Sequence, residues 1–302
     1  MGSSRLSTTA QPRVGFVQRM LPAVEGKVPL AAVVRWLIIA LAVVWAVGPV
    51  LYLLANSVKP TIEYFNSPQI LPSTVVWSHF QDLFASGNNT WRYLINSVVV
   101  TISTTACTVF FGSLAAYGLS RLRLGRSRLI AVVALVIIAV RFYPKITVVI
   151  PYFMLMRSLN LLDNVLAIIV AHVSITLPFA VLLMMTFYAE IPQEIEEAAL
   201  IDGASLVQTY FRVIVPMTVT GMAAAALLTA LVSWNEFLIA SSVASNNAVT
   251  LPIDISTFIS DKGTNWGSMS ALAVLMTVPM LVLILFLQRF LVRGLTGGAV
   301  KG

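Results

Sequence analysis

Long uncharged apolar runs recur along the chain, separated by short stretches where charge, proline and glycine collect. Trp36–Val58, Tyr93–Ser120, Asn164–Ala189, Val213–Asn235 and Gly263–Gln288 each approach or exceed the ~20 residues a helix needs to cross a hydrocarbon core of about 30 Å. A further run, Leu129–Val140, resumes beyond Arg141 and Lys145 as Ile146–Met156 and reads as one interrupted span, third in order. Backbone groups in lipid must be satisfied within the segment, so the runs predict helices. The apolar/polar alternation of a transmembrane barrel strand is absent from them. The pattern therefore predicts an all-α membrane protein with six transmembrane helices.

Composition excludes a water-covered fold. Of 302 residues, 58% are hydrophobic and 10% charged, against roughly 25% charged in soluble domains; the mean hydropathy is +0.90. The net charge of +7 follows the spans rather than a nucleic-acid surface. Arg5, Arg13, Arg19, Lys27, Arg35, Arg121, Arg123, Arg126, Arg128, Arg212, Arg289, Arg293 and Lys301 fall on one side, against Lys59, Arg92, Arg157 and Lys262 on the other. The positive-inside rule makes the first side cytoplasmic, with both termini.

Residues 1–34 read as a flexible basic cytoplasmic tail, in which Met20 is an alternative start, and 35–302 as the transmembrane domain. The first span is too long for the apolar core of a signal peptide. Residues 59–90 form the longest outside loop, rich in prolines and aromatics. The single Cys107 permits no internal disulfide. His79 and His172 are too far apart for a metal cluster, and no phosphate-cradling glycine loop is present, so ATP hydrolysis would need another subunit.

One segment between the fourth and fifth spans, 190–216, does not read as a linker. Glu190, Glu194, Glu196, Glu197 and Asp202 gather there. Pro192 suits a first helical turn, the acids that follow complement its positive end, Gly203 supplies a left-handed stop and Ser205 caps a second short helix, Leu206–Val213. An amphipathic helix lying on lipid would not carry these acids beside an anionic inner leaflet.

Glu197-Ala198-Ala199, then Gly203 three residues on, then Val213-Ile214-Val215-Pro216 resemble the EAA loop of bacterial ABC importer permeases, with Val213 and Val215 replacing Ile and Leu. Leu177-Pro178-Phe179, Ile201-Asp202-Gly203-Ala204-Ser205, Trp234-Asn235-Glu236-Phe237 and the tail 289–302 are similar to the carbohydrate, maltose-type G-kind permeases; Asn160 departs from a common Gly. The resemblance covers roughly residues 35–302. It implies an ABC type I importer permease fold in a bacterial inner membrane. It also implies a second homologous permease, two copies of an ABC ATPase and an extracytoplasmic sugar-binding protein as partners. No cofactor is then bound by this chain; ATP and Mg belong to the ATPase. By the same resemblance Glu194, Glu197, Ala198, Ala199, Asp202, Gly203 and Pro216 couple to the ATPase, and Gly297, Gly298 and Lys301 reach between the ATPases. A permease for a non-sugar solute and an ion-coupled secondary transporter are the alternatives.

Ionisable groups within spans mark cavities or partners. Counted along straight helices at about 1.5 Å per residue, Lys145 and Glu236 reach similar depth and predict an ion pair. His172 reads as a packed, hydrogen-bonded histidine. Trp234, Asn235 and Glu236 are candidates for the sugar path.

Overall fold

The structure, a computed structural model, describes residues 30–66, 69–121, 132, 135–136, 144–260 and 263–297. The expectations for the tail before Leu30, for Arg141, for most of Leu129–Val140, and for Gly298 and Lys301 lie outside them. The described residues up to Tyr52 fall in one unit and those from Leu53 onward in another. The described part of the first is most of a helix, α1 (Leu30–Ser57), whose side chains up to Tyr52 are almost all exposed, Trp45 by 83%. Apolar exposure on every face suits lipid.

The described part of the second unit is helical, with one short hairpin. Short helices α2 (Glu63–Asn66) and α3 (Ser78–Leu83) precede α4 (Thr90–Arg121), α5 (Lys145–Ser158), α6 (Val165–Ala189) and α7 (Gln193–Ile201). Next come α8 (Leu206–Thr209), a π-helical turn over Tyr210–Ile214, α9 (Val215–Met217), α10 (Val219–Trp234), α11 (Leu238–Val243) and α12 (Leu251–Thr257). Antiparallel β1 (Ile259–Ser260) and β2 (Gly263–Thr264) lead into α13 (Trp266–Gly297).

Small residues let α4 and α6 approach closely. A Cβ on Gly112 would lie 3.2 Å from that of Ala180, and Ala116, one turn on, is fully buried. The Thr108 and Thr176 hydroxyls bond across the same seam at 2.8 Å. Small side chains plus an interhelical hydrogen bond are how helices associate where lipid gives no hydrophobic drive.

Among the described residues, four helices are long and apolar enough to cross a membrane: Leu30–Ser57, Thr90–Arg121, Val165–Ala189 and Trp266–Gln288. The fifth expected span, Val213–Asn235, is not one straight helix. Leu206–Met217 and Val219–Trp234 meet at a 76° bend. At the break the Thr218 hydroxyl donates to the carbonyls of Ile214 and Val215. A side chain competing for helix carbonyls beside Pro216, which has no N–H to give, is a recognised cause of a kink. The expected helix Leu206–Val213 opens into the π turn. The last span begins at Trp266 instead of Gly263, which sits in the hairpin at φ 115. Beyond Gln288 the helix continues through Gly297.

At the α5–α6 turn, Asp163 holds a distant loop. Its carboxylate accepts from the backbone N–H groups of Ser245, Asn246, Asn247 and Ala248 at 2.9–3.0 Å, and from the Asn247 side chain at 3.0 Å. Its own N–H donates to the Val243 carbonyl at 2.8 Å. Partial burial pushes the Asp163 carboxyl up, but the four backbone donors outweigh it and hold it well below the usual carboxylate range. A pKa lowered by folding stabilises fully above the unfolded value of about 3.9 and less as pH falls toward the folded value. Asp163→Asn, which turns an NH2 toward N–H donors, is therefore expected to cost about 1–3 kcal/mol at pH 7. Thermal unfolding in detergent at pH 7 and pH 3 checks this: the gap between wild type and variant should narrow at the lower pH.

Candidate functional site

The segment from Ile191 to Met217 folds as the sequence predicts over its first half. Pro192, extended at φ −57 and ψ 137, stands just before α7 as its N-cap, one position earlier than a first-turn residue. Glu194 and Glu196 lie in the first turn, where negative charge meets free N–H groups. The C-terminus closes in a Schellman arrangement: Ala204 N–H donates to the Ala199 carbonyl at 3.0 Å and Gly203 N–H to that of Leu200 at 3.1 Å. This requires the left-handed φ of 87 that Gly203 adopts. Ser205 and Gln208 then form a reciprocal capping box at the start of α8.

The outward face carries Glu194, Glu197, Ala198, Asp202 and Gly203, all exposed, with Ala199 half-buried and Pro216 exposed at the far end. Beside them runs an apolar edge: Ile201 is 85% exposed, Leu206 67% and Val207 66%. An exposed apolar patch of this kind, rimmed by acids, has the make-up of an interaction surface. Leu206 and Val207 were legible as apolar residues in a charged loop, but helical spacing alone does not say that they face outward.

The inward face is tied to the spans. Glu196 accepts from Tyr117 Oη at 2.9 Å and from Arg121 Nε at 2.5 Å, and Arg121 also donates to the Ile191 carbonyl at 3.3 Å. The ion pair is largely buried, with the side chains 16% and 12% exposed. The Tyr117 ring packs on those of Tyr188 and Tyr210, 5.7 and 5.0 Å between centroids. The Ser113 hydroxyl meets both tyrosine hydroxyls, at 2.5 and 2.6 Å. The π turn carries Tyr210 into this cluster. One network thus joins α4, α6, α7 and the α8 arm. In the sequence, Glu196 is only one of five acids, and no local pattern links it to Tyr117 and Arg121.

The expected Lys145–Glu236 pair does not form. Glu236, 5% exposed, caps α11 by accepting from Ile239 N–H at 3.2 Å and Ala240 N–H at 3.1 Å. Its other neighbour is His172 Nε2 at 3.4 Å. His172 is buried as expected, its Nδ1 2.9 Å from the Ser233 hydroxyl. Trp234 is 3% exposed. Its indole N–H is spent on the Met276 carbonyl, and its ring walls a largely apolar cleft of about 620 Å³ between α4, α10 and α13. The Asn235 amide donates to the Leu231 carbonyl of its own helix. Each of these three candidates for the sugar path thus has a bond that helps hold the helix end, and Asn235 is also exposed. A second cleft, about 820 Å³, lies between α5, α6 and α10 and is lined by Lys145, Tyr152, Ser174, Phe179 and Thr229 among others.

Residues 108–297 match the family described as binding-protein-dependent transport system inner membrane component. A trehalose transport system permease protein, SugB, of Mycobacterium tuberculosis is 36% identical over 87% of this chain and 95% of its own length. A sulfoquinovosyl glycerol transport system permease protein, SmoH, of Agrobacterium fabrum is 34% identical over 89% and 93%. A chain of a bacterial ABC transporter importing the acidic polysaccharide alginate shares the fold, with a TM-score of 0.74 at 21% identity over 93% of this chain and all of that one.

Proposed function

The chain belongs to the binding-protein-dependent transport system inner membrane components, a family of multi-pass permeases that are not themselves enzymes, and from that membership we propose that it carries a sugar or sugar-like solute. The observation that carries the reading is the helix–turn–helix over 193–217, with its E-A-A-x3-G spacing, acid face and exposed apolar edge. This surface docks on a separate ABC ATPase, with Glu194, Glu197, Ala198, Ala199, Asp202 and Gly203 at the contact and Pro216 at the root of the arm. A second, homologous permease completes the pore, two ATPase copies drive it with ATP and Mg, and an extracytoplasmic binding protein delivers the sugar. Both termini are cytoplasmic and six spans cross the membrane, the third resuming at Ile146. The chain end, Gly297, Gly298 and Lys301, reaches toward the ATPases.

Movement of the docked arm is passed inward through Glu196 to α4 and α6, a rigid-body transfer between packed elements. Purification from native membranes in mild detergent, with mass spectrometry of what accompanies the chain, tests the reading. A second permease and an ATPase are expected in comparable amounts. A chain that emerges alone and transports after reconstitution without an ATPase overturns it.

A further inference from the structure

Lys145 is the residue that the fold explains least. It opens α5 directly after Pro144, which caps the helix with no side-chain bond. The helix runs 14 residues to Ser158, so at about 1.5 Å per residue Lys145 lies roughly 20 Å along the axis from the α5–α6 turn. A lysine stem cannot reach back that far to the interface at that turn. Lys145 is exposed, and no salt bridge to it occurs among the described residues. A cation within a span is costly and marks a function.

The cleft it lines supplies other polar groups without partners. Thr229 is 1% exposed, and its hydroxyl is buried with no hydrogen-bond partner. Pro178, inside α6, has no N–H to bond the carbonyl four residues back, which frees that of Ser174 in the same wall. The remaining surface is mostly apolar and includes the rings of Tyr152 and Phe179. At about 820 Å³ the cleft falls in the range of small-molecule sites, which pair apolar walls with a few convergent polar groups. The N-terminus of α5 also presents its positive end there, as broken transporter helices do toward anionic solutes.

We infer that this cleft receives an acid-bearing saccharide, its carboxylate, sulfonate or phosphate held by Lys145 and the first turn of α5, and its hydroxyls by Thr229 and the Ser174 carbonyl. This rests on the sugar-permease reading and narrows its substrate class.

The test is titration calorimetry on the detergent-purified chain with whatever subunits accompany it, using two probes of one skeleton, α-1,4-digalacturonate and neutral α-1,4-galactobiose. The wild type should bind the diacid at least tenfold more tightly. Lys145→Met should erase that preference and Lys145→Arg should keep it. Equal binding of both probes, binding of neither, or a preference that survives in Lys145→Met overturns the inference. So does loss of the second permease from both variants, which would make Lys145 a subunit contact. A missing ATPase in the wild-type preparation counts against the transport reading instead, and the probe preference is read independently of it.

Discussion

Gly203→Asp is expected to leave the chain inserted in the membrane and to reduce coupled uptake by about 30-fold or more. The backbone cost is limited: φ at Gly203 is 87, a left-handed value that aspartate tolerates better than most residues. No atom lies within 4 Å of the position a Cβ would take, so nothing inside the chain is displaced. What the new side chain meets is outside. It would place bulk and a second negative charge beside Asp202, at the turn proposed to seat in the ATPase. Loss of one central contact in an interface commonly costs about 2 kcal/mol, roughly 30-fold in binding. The measurement is uptake alongside ATPase co-purification. Gly203→Ala, carrying the backbone cost without the charge, should retain most of both. Normal uptake by the aspartate variant would remove α7 from the coupling pathway.

Arg121→Glu and Glu196→Arg are each expected to lower uptake per ATP hydrolysed at least tenfold, and together to restore a large part of it. The two side chains form a 2.5 Å pair that, with Tyr117, is the polar link from α7 to the spans. Breaking one side of a mostly buried pair leaves a charge uncompensated, a loss of about 3–5 kcal/mol when burial is complete and less here. A purely structural role would appear as reduced chain in the membrane. A transmitting role appears as ATP hydrolysis that continues while transport fails. The swapped pair distinguishes the two, because rescue of the transport-to-hydrolysis ratio needs the link and not merely the charges.

Features written in consecutive residues were legible in the sequence. Span limits at α4 and α6 match within a few residues, because uncharged length is a local property and Asn164 announces the start of α6. The Gly203 stop and the Ser205 cap were equally local. What escaped notice depended on direction. The 76° bend at Thr218 sits in an apolar run whose charge pattern does not change, and it invalidates depths counted along a straight fifth span. The Lys145–Glu236 pairing rested on those depths, and the carboxylate turned out to cap its own next helix beside His172. The Ser113–Tyr117–Tyr188–Tyr210 cluster joins residues far apart in sequence, and its π turn adds a residue that no helical periodicity anticipates.

The carboxylate at the α5–α6 turn also sets a timetable. Its backbone partners lie 82 to 85 residues further along the chain. At synthesis rates of about 5–20 residues per second, Asp163 is made roughly 4–16 s before the loop it will hold. During that interval the turn has only water to solvate its charge. The helices on either side of that turn, α5 and α6, can therefore form first, while the loop over 245–248 closes on Asp163 only after α11 has emerged from the ribosome.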